Sequence, residues 1–337
     1  MIAAVPRLDC AKHMTYGPCG GVALDGSCEV GGARCVFVDG PVVSWAGAAP
    51  QSSPADTDPI IALARRRPIV VIDLPDRPLD PRSTRAAAAA LAGLADAVLL
   101  GDIGWSRVQL PPSYRASIVA KEGVRPWAGV NCRDRNRVAI EAELCALADI
   151  GAAAHCISGD HGALGHRADA AGVFDLDSTQ VAALARRAGL LVSVAENPVA
   201  PPVALRAARL AEKAKAGAHV CFVNHAGSAA KVALFINSAR ALGLTDLIFI
   251  VCVPLLYSTE SVAGIRTFTG LVLPSGLAET ITVARDPFVA GVDGCAEYAR
   301  SVLGLPGVHG INISGTHPPG DEARAIAAAT ALVGALS

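Results

Sequence analysis

Residues Ile69–Leu74 read IVVIDL, a short run rich in β-branched side chains that closes on an acid, Asp73. Working outward, Ala/Leu/Arg-rich helical stretches alternate with further runs of the same kind from Ile60 onward. The strand candidates are Ile69–Leu74, Ala97–Gly101, Trp127–Asn131, Ala154–Ser158, Leu190–Val194, His219–Asn224, Ile248–Val253 and Gly310–Ser314. Strands separated by helical patterns indicate βα units around a parallel sheet, and eight of them predict an α/β protein with a closed (β/α)8 barrel over residues 60–337.

The intervening helices carry start and stop signals. Asp134 is placed to cap RNRVAIEAELCALADIG, whose apolar residues Val138, Ile140, Leu144, Leu147 and Ile150 approximate a helical stripe, and Gly151 ends it. Pro201 and Pro202 stand at the start of VALRAARLAEKAKAGA, which ends at Gly217. A barrel of this kind carries its chemistry on the loops after the strand C-termini. Those loops hold Asp73, Asp102, Asn131 to Arg135, Asp160, His161, Glu196, Asn197, Asn224, His225, Pro254 to Tyr257, Thr316 and His317.

Composition limits the partners. Of 337 residues, 52% are hydrophobic and 18% charged, enough for a full-sized core and too little charge for a disordered chain. The 29 basic and 30 acidic residues leave a net charge of −1, which gives no footprint for nucleic acid or an anionic membrane and favours a small-molecule partner. Mean hydropathy is +0.42, yet the longest apolar stretches, Ile248–Leu256 and Ala86–Leu100, are too short or are broken by Asp96, whereas a span needs about 20 apolar residues. The opening MIAAVPRLDCAKH lacks a secretory leader pattern, so a cytoplasmic location is expected.

Ahead of the barrel lies a different segment. Cys10, Cys19, Cys28 and Cys35 are separated by eight, eight and six residues within glycine-rich sequence (GPCGG, DGSC, EVGGARC). Residues 1–45 have too little apolar material to fold on burial alone and call for a staple. In a reducing compartment four thiols point to a metal-binding module, with zinc or an iron–sulfur cluster as the occupant and four reduced thiols as the alternative. Residues 46–59, rich in proline, serine and small side chains, read as a linker or an extended wrap. The module is free to cap the barrel bottom, shield its mouth or dock a redox partner protein, and the oligomeric state is open. The other cysteines, Cys132, Cys145, Cys156, Cys221, Cys252 and Cys295, read as small core residues. His161 and His166 read as solvated loop histidines.

Several rim motifs resemble those of the methylenetetrahydrofolate reductases. NCRDRNR (Asn131–Arg137) is similar to the end of that family's third strand, ISGD (Ile157–Asp160) to the motif ending its fourth, and VFDLDSTQ (Val173–Gln180) to the stretch that follows. EKAKAGAHVCFVN (Glu212–Asn224) resembles the segment entering the sixth strand, and KHMTYGPCGGVALDGSCEV resembles a cysteine-rich module attached to some bacterial and archaeal members. The resemblance implies reduction of 5,10-methylenetetrahydrofolate to 5-methyltetrahydrofolate, ordinarily with FAD passing a hydride from NADH or NADPH. It assigns Asp73 as the acid that protonates N10, Asp160 as a charge favouring the cationic iminium, and Asn131, Asn224 and His225 as substrate contacts. Lys213 is assigned to the cofactor phosphates, and the basic loop of Arg133, Arg135 and Arg137 offers bidentate contacts to a pyrophosphate or the folate tail, with a solvated helix start as the alternative.

The sequence departs from the family pattern around the flavin. Asp73 stands for a glutamate, Gly129 for a histidine, Asn131 for a threonine, and Asn224 with His225 for a glutamine and an aromatic. Direct hydride transfer from NADH is therefore carried as the version without flavin. Two other readings stay open: a pterin-binding methyltransferase barrel and a non-catalytic, metal-bearing partner subunit.

Overall fold

The computed structural model describes residues 6–102, 106, 108–161, 167 and 169–336. Eight parallel strands close into one barrel in sequence order, β8 pairing with β1: β1 Ile69–Asp73, β2 Ala97–Leu100, β3 Pro126–Asn131, β4 Ala153–Ile157, β5 Leu191–Glu196, β6 Val220–Val223, β7 Ile248–Pro254 and β8 Gly310–Ser314. Helix α1 (Pro59–Arg66) precedes β1. Helices α2 (Pro81–Leu91), α3 (Pro112–Lys121), α4 (Arg137–Ile150), α5 (Ser178–Arg187), α6 (Arg206–Lys215) and α7 (Ala229–Ala241) follow the first six strands in turn. Three helices, α8 (Thr259–Ile265), α9 (Leu277–Val283) and α10 (Pro287–Leu303), lie between β7 and β8, and α11 (Glu322–Gly334) follows β8. The chain is a (β/α)8 barrel preceded by a small cysteine-rich module.

Alternation along the strands builds two cores, because successive side chains point to opposite faces. Ile69, Val71, Leu99, Trp127, Phe222 and Ile250 fill the barrel interior, while Ile72, Val98, Val130, Val192, Val251 and Ile313 pack outward against the helices. Trp127 closes the interior: its indole N–H donates to Ser193 Oγ at 2.8 Å, and its ring meets Phe222 edge-on at 5.0 Å. The same period brings Asp73, Asn131 and Ser314 to the inner face at the strand ends. These three stand above the apolar plug, within which Ser193 and His155 are polar members bonded to each other.

Two local readings are corrected. Helix α4 begins at Arg137, capped by Asn136, whose Oδ1 accepts from the Ala139 N–H; Asp134 is instead held by the Arg133 guanidinium. Helix α6 begins at Arg206 after a 3-10 turn at Val203–Leu205, because the Arg206 side chain bonds back to the Ala200 and Pro201 carbonyls and keeps the proline pair out of the helix. Among the other cysteines, Cys145 is exposed on α4 while the remaining five are buried.

The module sits over the mouth of the barrel. Asp177 Oδ1 caps α5 by accepting from Thr179 and Gln180, and Oδ2 accepts from the Thr15 and Tyr16 N–H groups of the module at 3.2 and 2.8 Å. This buried carboxylate in VFDLDSTQ thus starts a helix and holds the module with one side chain. Ser158 Oγ also reaches Met14, and the Trp45 N–H donates to Glu212 Oε2 at 2.6 Å. Residues 46–59 form the wrap: Arg186 binds Asp56 at 2.6 Å and donates to the Gln51 carbonyl. Replacing Asp177 with Ala removes a cap and strands two buried N–H groups, so a loss of roughly 2–4 kcal/mol is expected. Urea unfolding will measure it, together with faster proteolysis before residue 59.

Candidate active site

A cavity of about 270 Å³ opens at the strand C-termini. Its polar lining comes from β1 (Asp73), the loops after β2, β4, β5 and β6 (Asp102, Asp160, Asn197, Asn224, His225), β8 (Ser314) and the module (Gly20, Glu29). Phe268 and Leu271, from the segment between α8 and α9, form an apolar wall. A second cavity of about 160 Å³ adjoins it, sharing Asp160, Asn197 and Asn224 and reaching Lys12, Cys19, Glu196 and Lys213. The two acids expected to converge, Asp73 and Asp160, line the same hollow.

Their surroundings differ. Asp73 accepts from Asn312 Nδ2 at 2.9 Å; burial pushes its carboxyl up to about 6, against smaller opposing contributions from Asn312, Ser314 and the Gly315 N–H. Asp73 is therefore partly protonated near neutral pH. Arg133 Nη1 approaches the Asp160 backbone oxygen at 3.5 Å, and the Lys12 charge acts toward the Asp160 carboxylate. His225 is buried, its imidazole pushed down to about 4 by burial, and among the described residues its Nδ1 has no hydrogen-bond partner. A neutral ring with an unmet ring nitrogen faces the cavity beside Asn224.

Other expected contacts are engaged elsewhere. Asn131 does not line the cavity: its Nδ2 donates to Asp102 at 3.2 Å and its Oδ1 accepts from the Asp134 N–H, so it positions the rim. Arg133 is buried between Asp102 (3.1 Å) and Asp134 (2.6 Å). Burial lowers its pKa, but these carboxylates more than offset that and keep it charged. Lys213 is buried with its Nζ 2.6 Å from Glu196 Oε1 and from the Ala195 carbonyl, and Arg206 closes on Glu196 at 3.4 Å. Arg135 is half-buried and lines neither cavity. The pyrophosphate-binding role expected of Arg133 and Lys213 does not fit, since Arg133 is already paired with Asp102 and Asp134 and Lys213 with the buried Glu196. At Gly129, where the family has histidine, a Cβ would lie 2.9 Å from the Leu100 carbonyl, so the strand itself excludes a side chain.

The thiols give a mixed result. The Gly21 and Val30 N–H groups donate to Cys19 and Cys28 Sγ at 3.3 and 3.4 Å, while burial pushes the Cys19 thiol up. Among the described residues, however, no group of three or more histidine, cysteine, aspartate or glutamate side chains is arranged to hold a metal ion, and no step below uses one. His161 is a partly exposed loop residue with one face stacked on Phe174 at 5.9 Å and 8°, while His166 lies outside the described residues. Sequence reasoning missed Glu29 and Phe268. Each had a faint signal, the only acid between the third and fourth cysteines and the only aromatic between α8 and α9.

A family model described as methylene-tetrahydrofolate reductase C terminal matches residues 2–41, the cysteine-rich module. The match is confined to the module. Here that module, described from the C-terminal part of such reductases, stands ahead of the barrel. The fold is similar to an uncharacterized protein from Clostridium thermocellum that binds two copies of 5-methyl-5,6,7,8-tetrahydrofolic acid, at 14% identity and TM-score 0.57, over 80% of this chain and 97% of that one. A 2,3-dimethylmalate lyase of the PEP mutase/isocitrate lyase superfamily aligns at 14% identity and TM-score 0.47, over 83% and 84% of the two chains. No curated protein sequence matches the chain. Among the described residues, no helix is long and apolar enough to cross a membrane.

Asp73→Asn gives a pH test of the site. A folded-state pKa of about 6 above the ordinary 3.8 means that wild-type stability is full below about pH 4 and falls as pH rises through 6. The variant escapes that loss, so it should gain on wild type above pH 6, by at most about 3 kcal/mol, and not at pH 4. Thermal unfolding across pH 4–8 measures the difference.

Proposed function

We propose that the cavity binds the pterin head of a tetrahydrofolate and that the chain reduces 5,10-methylenetetrahydrofolate to 5-methyltetrahydrofolate, with NADH or NADPH as the hydride donor. The observation that carries this is the pairing in one hollow of a carboxyl with a pKa near 6, Asp73, and a second carboxylate, Asp160. The module match and the folate-binding protein of similar fold support the same substrate class.

The chemistry divides between them. Asp73 delivers a proton to N10, the bond between N10 and the bridging carbon breaks, and N5 becomes an iminium; a hydride from the nicotinamide then reaches the methylene carbon to give the N5 methyl group. Asp73 recovers its proton from solvent. Asp160 stabilises the cation that exists only between these steps. Asn224 and the neutral His225 offer hydrogen bonds to the pterin, with Phe268 as a stacking wall. Because Arg133 and Lys213 are already paired, no flavin phosphate contact is assigned, and direct hydride transfer is the version of the reaction we favour.

Those same spent cations favour one second reading, transfer of the methyl group of 5-methyltetrahydrofolate to a corrinoid, which needs N5 protonated but no dinucleotide. NADH consumption with methylenetetrahydrofolate, measured on the full chain, separates the two. The reductase reading expects turnover that declines above about pH 6, and a loss of 10²-fold or more in kcat/KM for Asp73→Asn. Methyl transfer to cob(I)alamin without NADH oxidation would install the second reading, and neither activity would leave a non-catalytic partner subunit. For the four thiols we propose a structural zinc, with an iron–sulfur cluster or four reduced thiols as the alternatives, on the electrostatic proximity of Cys10, Cys19 and Cys28 to Cys35. Elemental analysis with an absorption spectrum expects about one zinc per chain and no flavin bands.

A further inference from the structure

Glu29 is the one carboxylate in the cavity that comes from outside the barrel. Its side chain is 4% accessible, and its Oε1 is ion-paired with Lys12 Nζ and accepts from the His161 N–H at 3.4 Å. Lys12, equally buried, donates to the Gly159 carbonyl at 2.6 Å, so the pair is fastened to the loop that carries Asp160. Among the described residues, Glu29 Oε2 accepts no hydrogen bond. That oxygen is not sealed in the protein: it stands open to the cavity that Glu29 lines, where it can accept from whatever enters.

The surrounding sequence makes room for this carboxylate. A Cβ on Gly21 would overlap the Glu29 carboxylate, so the last glycine of GPCGG is what allows the acid to reach the cavity wall. Docking alone does not call for such a pair, since well-packed apolar residues of similar volume hold surfaces together as well as a buried ion pair or better. Glu29 and Lys12 are therefore better explained by what the cavity takes in.

We propose that Glu29 is a substrate-contacting residue donated by the cysteine-rich module, its Oε2 accepting from the N–H donors of a reduced pterin, with Lys12 as the positioning residue that holds it in place. This rests on the folate reading of the cavity. It makes the module part of the binding site, so that a barrel with the module displaced lacks one wall and one acceptor.

The test is calorimetric titration of the full chain with 5-methyltetrahydrofolate. Glu29→Gln should weaken binding by about 10- to 100-fold, the range for one hydrogen bond to a charged group. Gly21→Ala should weaken it by a similar factor while keeping every charge, because the new methyl displaces a flexible carboxylate. Should Glu29→Gln release the module, seen as proteolysis before residue 59, Gly21→Ala and the double variant Lys12→Met/Glu29→Gln carry the test. Wild-type affinity in the variants, or tighter binding by Glu29→Gln as expected of a plug, would overturn the assignment. Wild-type protein that binds no folate would instead overturn the reading on which it rests.

Discussion

The ammonium of Lys12 is where module and barrel become one structure. It donates to the Gly159 carbonyl after β4 and pairs with Glu29, and from there the rest of the rim takes its shape. With Asp177 holding the Thr15 and Tyr16 amides below, a segment with little core of its own acquires a fixed position over the strand ends. The barrel contributes most of the cavity lining, and the module contributes Gly20 and Glu29.

That arrangement concentrates negative charge. Glu29, Asp73, Asp102 and Asp160 all line a hollow of about 270 Å³, and each is treated differently. Glu29 is balanced by Lys12 and Asp102 by Arg133, both cations standing behind the wall; Asp73 has amide and hydroxyl neighbours only and retains its proton to a higher pH. Environments that separate the behaviour of like groups are how one site comes to hold an acid and a fixed charge together. The buried cations are consumed in this balance, which is why Arg133 and Lys213 are not offered to phosphates.

The barrel was legible because its signal is local. Runs such as IVVID and GINIS announce strands by composition, and the ends of these runs locate the rim, with Asp73 closing β1 and Asp160 in the loop just after β4. What depends on long-range pairing was not legible: Lys12 meets Gly159 and Tyr16 meets Asp177 across 147 and 161 residues, and no pattern in either segment reports the other. Arg133 and Lys213 illustrate the same limit, since a cation free to bind phosphate and one neutralised by Glu196 or Asp134 are spelled alike. Glu29 was overlooked because an acid in a glycine-rich, cysteine-rich loop ordinarily faces water. Asp134 failed as a cap because a guanidinium next door offered its carboxylate a charged partner.

The central claim is that module and barrel enclose one folate site at the strand C-termini. A crystal structure of the full chain soaked with 5-methyltetrahydrofolate tests it most directly. The account predicts the pterin ring between Asp73 and Asp160, against Phe268 and within hydrogen-bond distance of the module. Density for the ring elsewhere, such as the groove of about 540 Å³ between the wrap and α5, with this cavity left to solvent, would contradict it.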